Sequence, residues 1–337
     1  MRKNILVLLL LFVSGIFNPS CNTSNKTSHS LLPNITGKPG EIVIIIEPRY
    51  WTGATGDTLR KIFTQLYPSL PQEEPIFTIA HIAHTDFNYV FKTHRNLIFI
   101  NINKTIPEDS AKIIVKKNIW ANGQLIFDCK ALNDKEMAKI ISQQQNKIIT
   151  LINTKERERI VEVYKKLSNK TIINYLKNKF NIYLPVPTGY NLNIDTTNFA
   201  WISREDPELS QGLIIYTYPY TDTNTFSLDY LIKKRNIFLK KYLPGPIDGT
   251  WMTTETRIDL NFNEITYRHQ YFAEVRGLWR VENDFMGGPF VSVTTLDKKQ
   301  NKIITVEGYF YGPKFNKREY IRQLEAIIYN LKILDSK

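Results

Sequence analysis

Two groups of residues in this chain carry the atom types that do chemistry. The first is His81, His84, Asp86 and His94. Imidazoles beside a carboxylate can hold zinc through nitrogen and oxygen donors. The spacing argues against it: in an extended segment, residues three apart point to opposite faces, and no His-Glu-x-x-His is present. These four are weak metal-ligand candidates that meet only if the chain turns near Ala83. Polar histidines at a strand end are the expectation, and no cofactor is expected.

The second group is Arg276, Trp279, Arg280, Glu282 and Asp284, followed by Phe285 and a Gly-Gly-Pro turn. Guanidinium forks beside an aromatic ring suit carboxylate or phosphate recognition. Paired carboxylates do acid–base work when their surroundings separate their pKa values. The competing reading is a salt-bridged connection between two strands, with Gly287 and Gly288 permitting unusual backbone angles. A ligand site is to be sought here first.

Other motifs fall away. Gly53-Ala-Thr-Gly56 precedes a helix, but the Gly-Lys-Ser/Thr of a phosphate loop is absent and Asp57 brings a negative charge. No Gly-x-Ser-x-Gly is present to arm a serine. Tyr216, Tyr218 and Tyr220 share one strand face, where they either stack sugar rings or pack beneath the helix predicted from Ser227. Cys129, in a strand-like run, is expected to be a buried, inert thiol.

Cys21 is marked by its position. Arg2 and Lys3 precede an apolar run from Ile5 to Val13, and Ser14–Ser20 lead to the cysteine. That is the layout of an export leader, and the run is shorter than the roughly 20 residues a spanning helix needs. The expectation is cleavage before Cys21 and lipidation of its thiol; two acyl chains suffice for stable anchoring. Residues 1–20 are then the signal peptide and 21–34 a flexible, Ser/Thr/Asn-rich tether. No acidic run follows Cys21, which favours an outer-membrane protein whose folded part faces the periplasm.

The net charge of +12 becomes +10 once Arg2 and Lys3 leave with the leader. Between Asn133 and Phe180, lysines and arginines outnumber acids about two to one. Export and the absence of a nucleic-acid-binding motif argue against nucleic acid as a partner. Envelope proteins, glycans or anionic lipid headgroups fit better, and a solvated helix face is the plainer reading.

Three stretches must position these residues. Residues 35–132 hold predicted strands at Ile42–Glu47, Ile76–Ile82 and Leu97–Asn101, a helix capped by Asp57, and a hairpin at Asn122-Gly123. Residues 133–180 keep helical spacing, with breaks at Asn153-Thr154 or Ser168-Asn169. Residues 181–337 hold strands at Ile182–Val186, Tyr190–Ile194, Asn198–Ser203, Leu213–Tyr218, Glu264–Val275, Phe290–Thr295 and Lys302–Tyr311. They also hold helices from Ser227 and from Asn316, the latter with a capping-box-like start. Strands come in runs. The prediction is an α+β protein with mainly antiparallel sheets covered by helices, its two sandwich-like halves joined by a helical connector.

Several of these segments together resemble a known family: Leu32-Pro33-Asn34 with Gly37 and Gly40-Glu41, Phe91-Lys92-Thr93-His94-Arg95-Asn96, Arg276-Gly277-Leu278-Trp279-Arg280, Met286-Gly287-Gly288-Pro289-Phe290, and Arg322-Gln323-Leu324-Glu325-Ala326. Over nearly the whole mature chain they are similar to the bacterial envelope-lipoprotein family of domain of unknown function forty-eight thirty-seven. The resemblance implies lipoprotein status and supplies no activity. With no catalytic motif, the expectation is a non-enzymatic binding or interaction module of the envelope. The alternatives are an envelope hydrolase with a carboxylate or metal site and a structural component of an envelope assembly.

Overall fold

The strand pattern of the first half begins with a buried apolar run. Ile42–Ile46 are all 5% exposed or less, as expected of a strand covered on both faces. The computed structural model describes residues 32–267 and 270–334; Cys21 and the export leader expected before it lie outside the described residues. In chain order the first half contains β1 (Glu41–Ile45), α1 (Pro48–Trp51), α2 (Ala54–Phe63), β2 (Thr78–Ile82), a 3-10 turn (His84–Asp86), α3 (Tyr89–Lys92), β3 (Asn96–Ile102), β4 (Lys112–Lys117) and β5 (Leu125–Ala131).

These strands form one sheet in the order β2-β1-β3-β5-β4. Four of them are parallel, and only β4 runs antiparallel to its neighbour β5. The first sheet thus departs from the antiparallel expectation. Its connections are long enough to cross over, whereas only β4 and β5 are joined as a hairpin. Within that hairpin the last pair is Lys117↔Leu125, so Asn122-Gly123 sits in a longer loop than a two-residue turn. Asn118 and Gly123 both take positive φ, at 53° and 86°, and Gly123 N donates to Asn118 Oδ1 at 2.8 Å.

The connector is three helices: α4 (Asp134–Gln143), α5 (Gln145–Lys166) and α6 (Lys170–Phe180). Helix α5 runs straight through Asn153-Thr154. The break at Ser168-Asn169 exists because Asn169 caps α6, its side chain accepting from Ile172 N at 3.2 Å.

The second half contains β6 (Ile182–Tyr183), β7 (Asn191–Thr196), β8 (Phe199–Asp206), β9 (Leu209–Pro219), a 3-10 turn (Thr223–Phe226), α7 (Leu228–Tyr242), β10 (Met252–Thr254), β11 (Asn261–Tyr267), β12 (Gln270–Val281), β13 (Gly287–Asp297), β14 (Lys302–Tyr311), α8 (Arg318–Ile328) and β15 (Lys332–Ile333). Its main sheet is antiparallel, ordered β10-β12-β13-β14-β9-β8-β7 with β11 also on β12. The single strand predicted over Glu264–Val275 is two strands, paired from Asn261↔Arg276 to Tyr267↔Gln270.

The sheet is covered on both faces. Helix α7 packs its Leu231, Phe238 and Leu239 against Phe199, Ile214, Tyr216 and Val275. On the other face α8 buries Ile321, Leu324, Ile327 and Ile328, all at or below 2% exposure. Burial of each contributes about 1.5–3 kcal/mol. The largest apolar cluster joins Ile44 and Phe127 of the first sheet to Ile304 and Ile327 of the second half. The fold is therefore α+β.

Two helix starts are fixed from far away. Helix α2 begins at Ala54, ahead of the expected cap Asp57, and Asp134 serves it instead: its carboxylate accepts from Ala54 N at 2.8 Å and Thr55 N at 3.1 Å. Asp57 pairs with Arg60. The predicted capping box at Asn316 is replaced in the same way. Glu74 accepts from Lys317 N at 2.5 Å and Arg318 N at 3.1 Å. In both cases a carboxylate occupies the electropositive helix end. This also explains why Gly53–Gly56 is no phosphate loop: Asp134 already fills the anion position.

Candidate functional site

The residues singled out in β12 and the turn after it part company in the structure. Arg276 lies in a buried network. Its guanidinium donates to Glu325 at 2.6 Å, to Glu274 at 2.9 Å and to the Tyr329 hydroxyl at 3.1 Å. Arg280 pairs with Glu282 at 2.7 Å and lies 4.0 Å from Glu255. Glu255 is held down to about 2, chiefly by hydrogen bonds from Arg257. Asp284 closes the turn by accepting from Met286 N at 3.1 Å. Both arginines are thus spent on internal carboxylates, as the salt-bridged reading required. Trp279, an odd number of residues from either, points to the other face of the strand.

On that face Trp279 forms the floor of a cleft of about 420 Å³, with Val281 and Met286 from the same stretch. Other strands bring Trp201, Tyr309, Tyr311 and Met252, and the turn after α7 brings Pro244-Gly245-Pro246. Three acids, Glu205, Asp206 and Glu208, stand at the exposed β8–β9 turn.

The sequence builds this floor by setting glycine opposite two of its rings, Trp279 and Tyr309, and opposite the neighbouring Phe290. In the strand register Gly288 faces Trp279, Gly277 faces Phe290 and Gly212 faces Tyr309. A Cβ at Gly212 would collide with the Tyr309 ring, and one at Gly288 with the Phe310 carbonyl and the Trp279 indole. Side-chain-free positions let the rings lie along the sheet, where they cover the exposed glycine backbone.

Hydrogen bonds then fix the rings. Trp201 Nε1 donates to the Tyr309 hydroxyl at 3.0 Å, and Trp279 Nε1 donates to the Phe310 carbonyl at 3.3 Å. Trp279 meets Tyr309 edge-on at 5.6 Å. Trp279 and Tyr309 are 4% and 6% exposed, and burial pushes the Tyr309 hydroxyl up. The acids of the lip are tied as well. Ser210 donates to Glu205 at 2.8 Å, Arg204 pairs with Asp206 at 3.2 Å, and Lys314 with Glu208 at 2.7 Å. The result is an apolar, ring-lined slot with acceptor oxygens along one edge.

Loops beside the slot carry two uncovered apolar side chains. Ile247, between α7 and β10, is 60% exposed, and Phe285, in the β12–β13 turn, is fully exposed. The loops are neighbours because Met252 pairs with Val281 and Glu282 N donates to Trp251 O.

Residues 169–330 match the model of a domain of unknown function, DUF4837. That match covers most of the second half. Every residue of the slot lies within it. Residues 35–165 match a different model, a domain of unknown function named DUF8532. The resemblance to the DUF4837 family holds over residues 169–330; Phe91–Asn96 fall instead in the region that matches DUF8532, and Leu32-Pro33-Asn34 precede both. No curated protein matches the chain.

The remaining candidates stay apart. His81 stacks on Trp51 at 4.1 Å. His84 Nδ1 is 3.2 Å from Glu47. His94 is buried with Nδ1 3.3 Å from the Asn96 carbonyl, and burial lowers its pKa. Asp86 is exposed in the 3-10 turn. Among the described residues no three of His, Cys, Asp or Glu converge as metal ligands would. Tyr216 and Tyr218 pack beneath α7 against Phe238, at 4.6 and 6.3 Å. Cys129 is buried and unpaired, and desolvation pushes its thiol up.

Sequence reading missed Trp201, Tyr309, Tyr311 and the acids of the β8–β9 turn. The signal available was alternation: Tyr309 and Tyr311 share one face of β14, and Trp201 lies two residues from Phe199.

Proposed function

We propose that this protein is an envelope lipoprotein, anchored through Cys21 to the outer membrane and facing the periplasm. In this reading the DUF4837 domain binds an envelope glycan in its ring-lined slot. The observation that carries the binding role is the slot itself: rigid indole and phenol rings for the apolar faces of sugar rings, and carboxylates at the edge to accept their hydroxyls. A pocket that is mostly apolar with a few convergent polar groups is the usual form of a small-ligand site. Ile247 and Phe285 add an apolar rim suited to contact with a larger partner. No helix among the described residues is long and apolar enough to cross a membrane.

Calorimetry with soluble peptidoglycan fragments and lipopolysaccharide core oligosaccharides tests the binding role. Saturable binding that weakens about tenfold or more in Trp201→Ala is expected, equivalent to at least about 1.4 kcal/mol. Absence of binding by every saccharide at millimolar concentration refutes it. Turnover of the same probes would instead favour the hydrolase alternative. Labelled palmitate tests the anchor: it should enter the wild type and not Cys21→Ser.

A further inference from the structure

The first sheet has a feature that the slot does not use. Strand β1 lies between β2 and β3, parallel to both. After β1 the chain moves to the β2 side through α2, whose Leu59, Ile62 and Phe63 enter the main core. The return to β3 runs over the opposite face, where Phe87 and Phe91 join Val43, Ile45 and Leu97. After β3 the chain moves the other way, toward β4 and β5. The chain segments leaving β1 and β3 therefore diverge at adjacent carboxyl ends. Open sheets of parallel strands bind ligands at such switch points, because the diverging loops leave a crevice between them.

A crevice is present there, of about 370 Å³, lined by Glu47, Arg49, Tyr50, His84 and the end of β3 from Ile100 to Asn103. Its charges are unusual for this protein. Each of the other arginines among the described residues lies within 4.0 Å of a carboxylate. Arg49 does not; its guanidinium rests 4.7 Å over the Tyr50 ring and is exposed. A free guanidinium fork is a bidentate receptor for a carboxylate. Glu47, two residues earlier, has one oxygen 3.2 Å from His84 Nδ1, which leaves the other to accept. Across the crevice, Asn101 is oriented by its bond to Asp128 at 2.8 Å, and Asn103 Oδ1 accepts from Thr105 N at 3.0 Å. The Asn103 amide NH2 remains as a further donor.

We propose that this crevice is a second binding site, for a free α-amino acid. Arg49 takes the carboxylate, Glu47 takes the ammonium, and the amide of Asn103 with the Tyr50 hydroxyl completes the polar wall. The half-buried Ile102 position admits a small or aliphatic side chain. The site belongs to the DUF8532 region and stands apart from the slot.

Calorimetry on the full chain with a panel of free amino acids, acetate and methylammonium tests this. At least one amino acid should bind, and acetate and methylammonium should each bind at least about tenfold more weakly. Arg49→Met and Glu47→Gln, both at solvent-accessible positions, should each weaken binding about tenfold or more, with unchanged circular dichroism. Trp201→Ala should leave it unaltered, which separates this site from the slot. Failure of every amino acid to bind at millimolar concentration overturns the proposal. So does full binding by Arg49→Met, or acetate binding as tightly as the best amino acid.

Discussion

Replacing Glu325 with Gln removes the charge at the centre of a buried network. The Glu325 side chain is 5% exposed, on the inward face of α8. It accepts from Arg276 at 2.6 Å, from Arg157 at 3.5 Å and from the Tyr67 hydroxyl. Burial alone raises a carboxyl pKa; here Arg276 and Arg157 outweigh it and hold the group down to about 2. The drop from an ordinary 4.5 to about 2 is worth about 3 kcal/mol, at about 1.4 kcal/mol for each tenfold change in proton affinity. Removing one member of a buried ion pair costs about 3–5 kcal/mol by mutational precedent, so the two routes agree. The sign follows from linkage: a depressed carboxyl pKa stabilises the fold above the unfolded value and loses that contribution as pH falls through the folded one. Glu325→Gln should therefore lose about 3–5 kcal/mol at pH 7. Its gap from wild type should narrow as pH falls from about 4.5 toward about 2. Urea denaturation midpoints of both proteins across that range measure it. A loss under about 1 kcal/mol at pH 7, within the range of exposed pairs, or a gap that ignores pH, refutes the reasoning.

Arg235 donates twice to Glu307, both at 2.7 Å, with both side chains at 2% exposure or less and the guanidinium stacked 3.8 Å over Phe290. Arg235→Met alone should cost about 3–5 kcal/mol by stranding the carboxylate, and adding Glu307→Leu should recover most of it, as read in denaturant melts. Asp134→Ala frees the amides of Ala54 and Thr55 and should lower stability by about 1–2 kcal/mol, with Asp134→Asn falling in between. Cys129 should resist a thiol reagent in the folded protein and react on unfolding in urea; prompt labelling of the native state would contradict its burial.

Much of the local structure was legible. The apolar run of β1, the spacing of α7 and α8 and the helical connector all follow from periodicities that neighbours within a few turns impose. Trp279 stood out in the sequence, and the structure places it in the floor of the cleft. Grouping it with Arg276 and Arg280 was an error visible in principle, since strand alternation sends it to the other face. The partners of Trp279 were not legible. Trp201 and Tyr309 meet because β8, β9 and β14 stand side by side in a particular register, and no local pattern encodes strand order.

What the sequence determined alone is where helix and strand begin to be favourable and which face of each is apolar, because those depend on residues close in the chain. Tertiary structure decided the rest. Asp134 rather than Asp57 starts α2, Glu74 starts α8 from more than 240 residues away, and four of the five strands of the first sheet run parallel. An unsatisfied amide or a buried charge takes whatever complementary group the fold delivers. Only the assembled chain determines which group arrives.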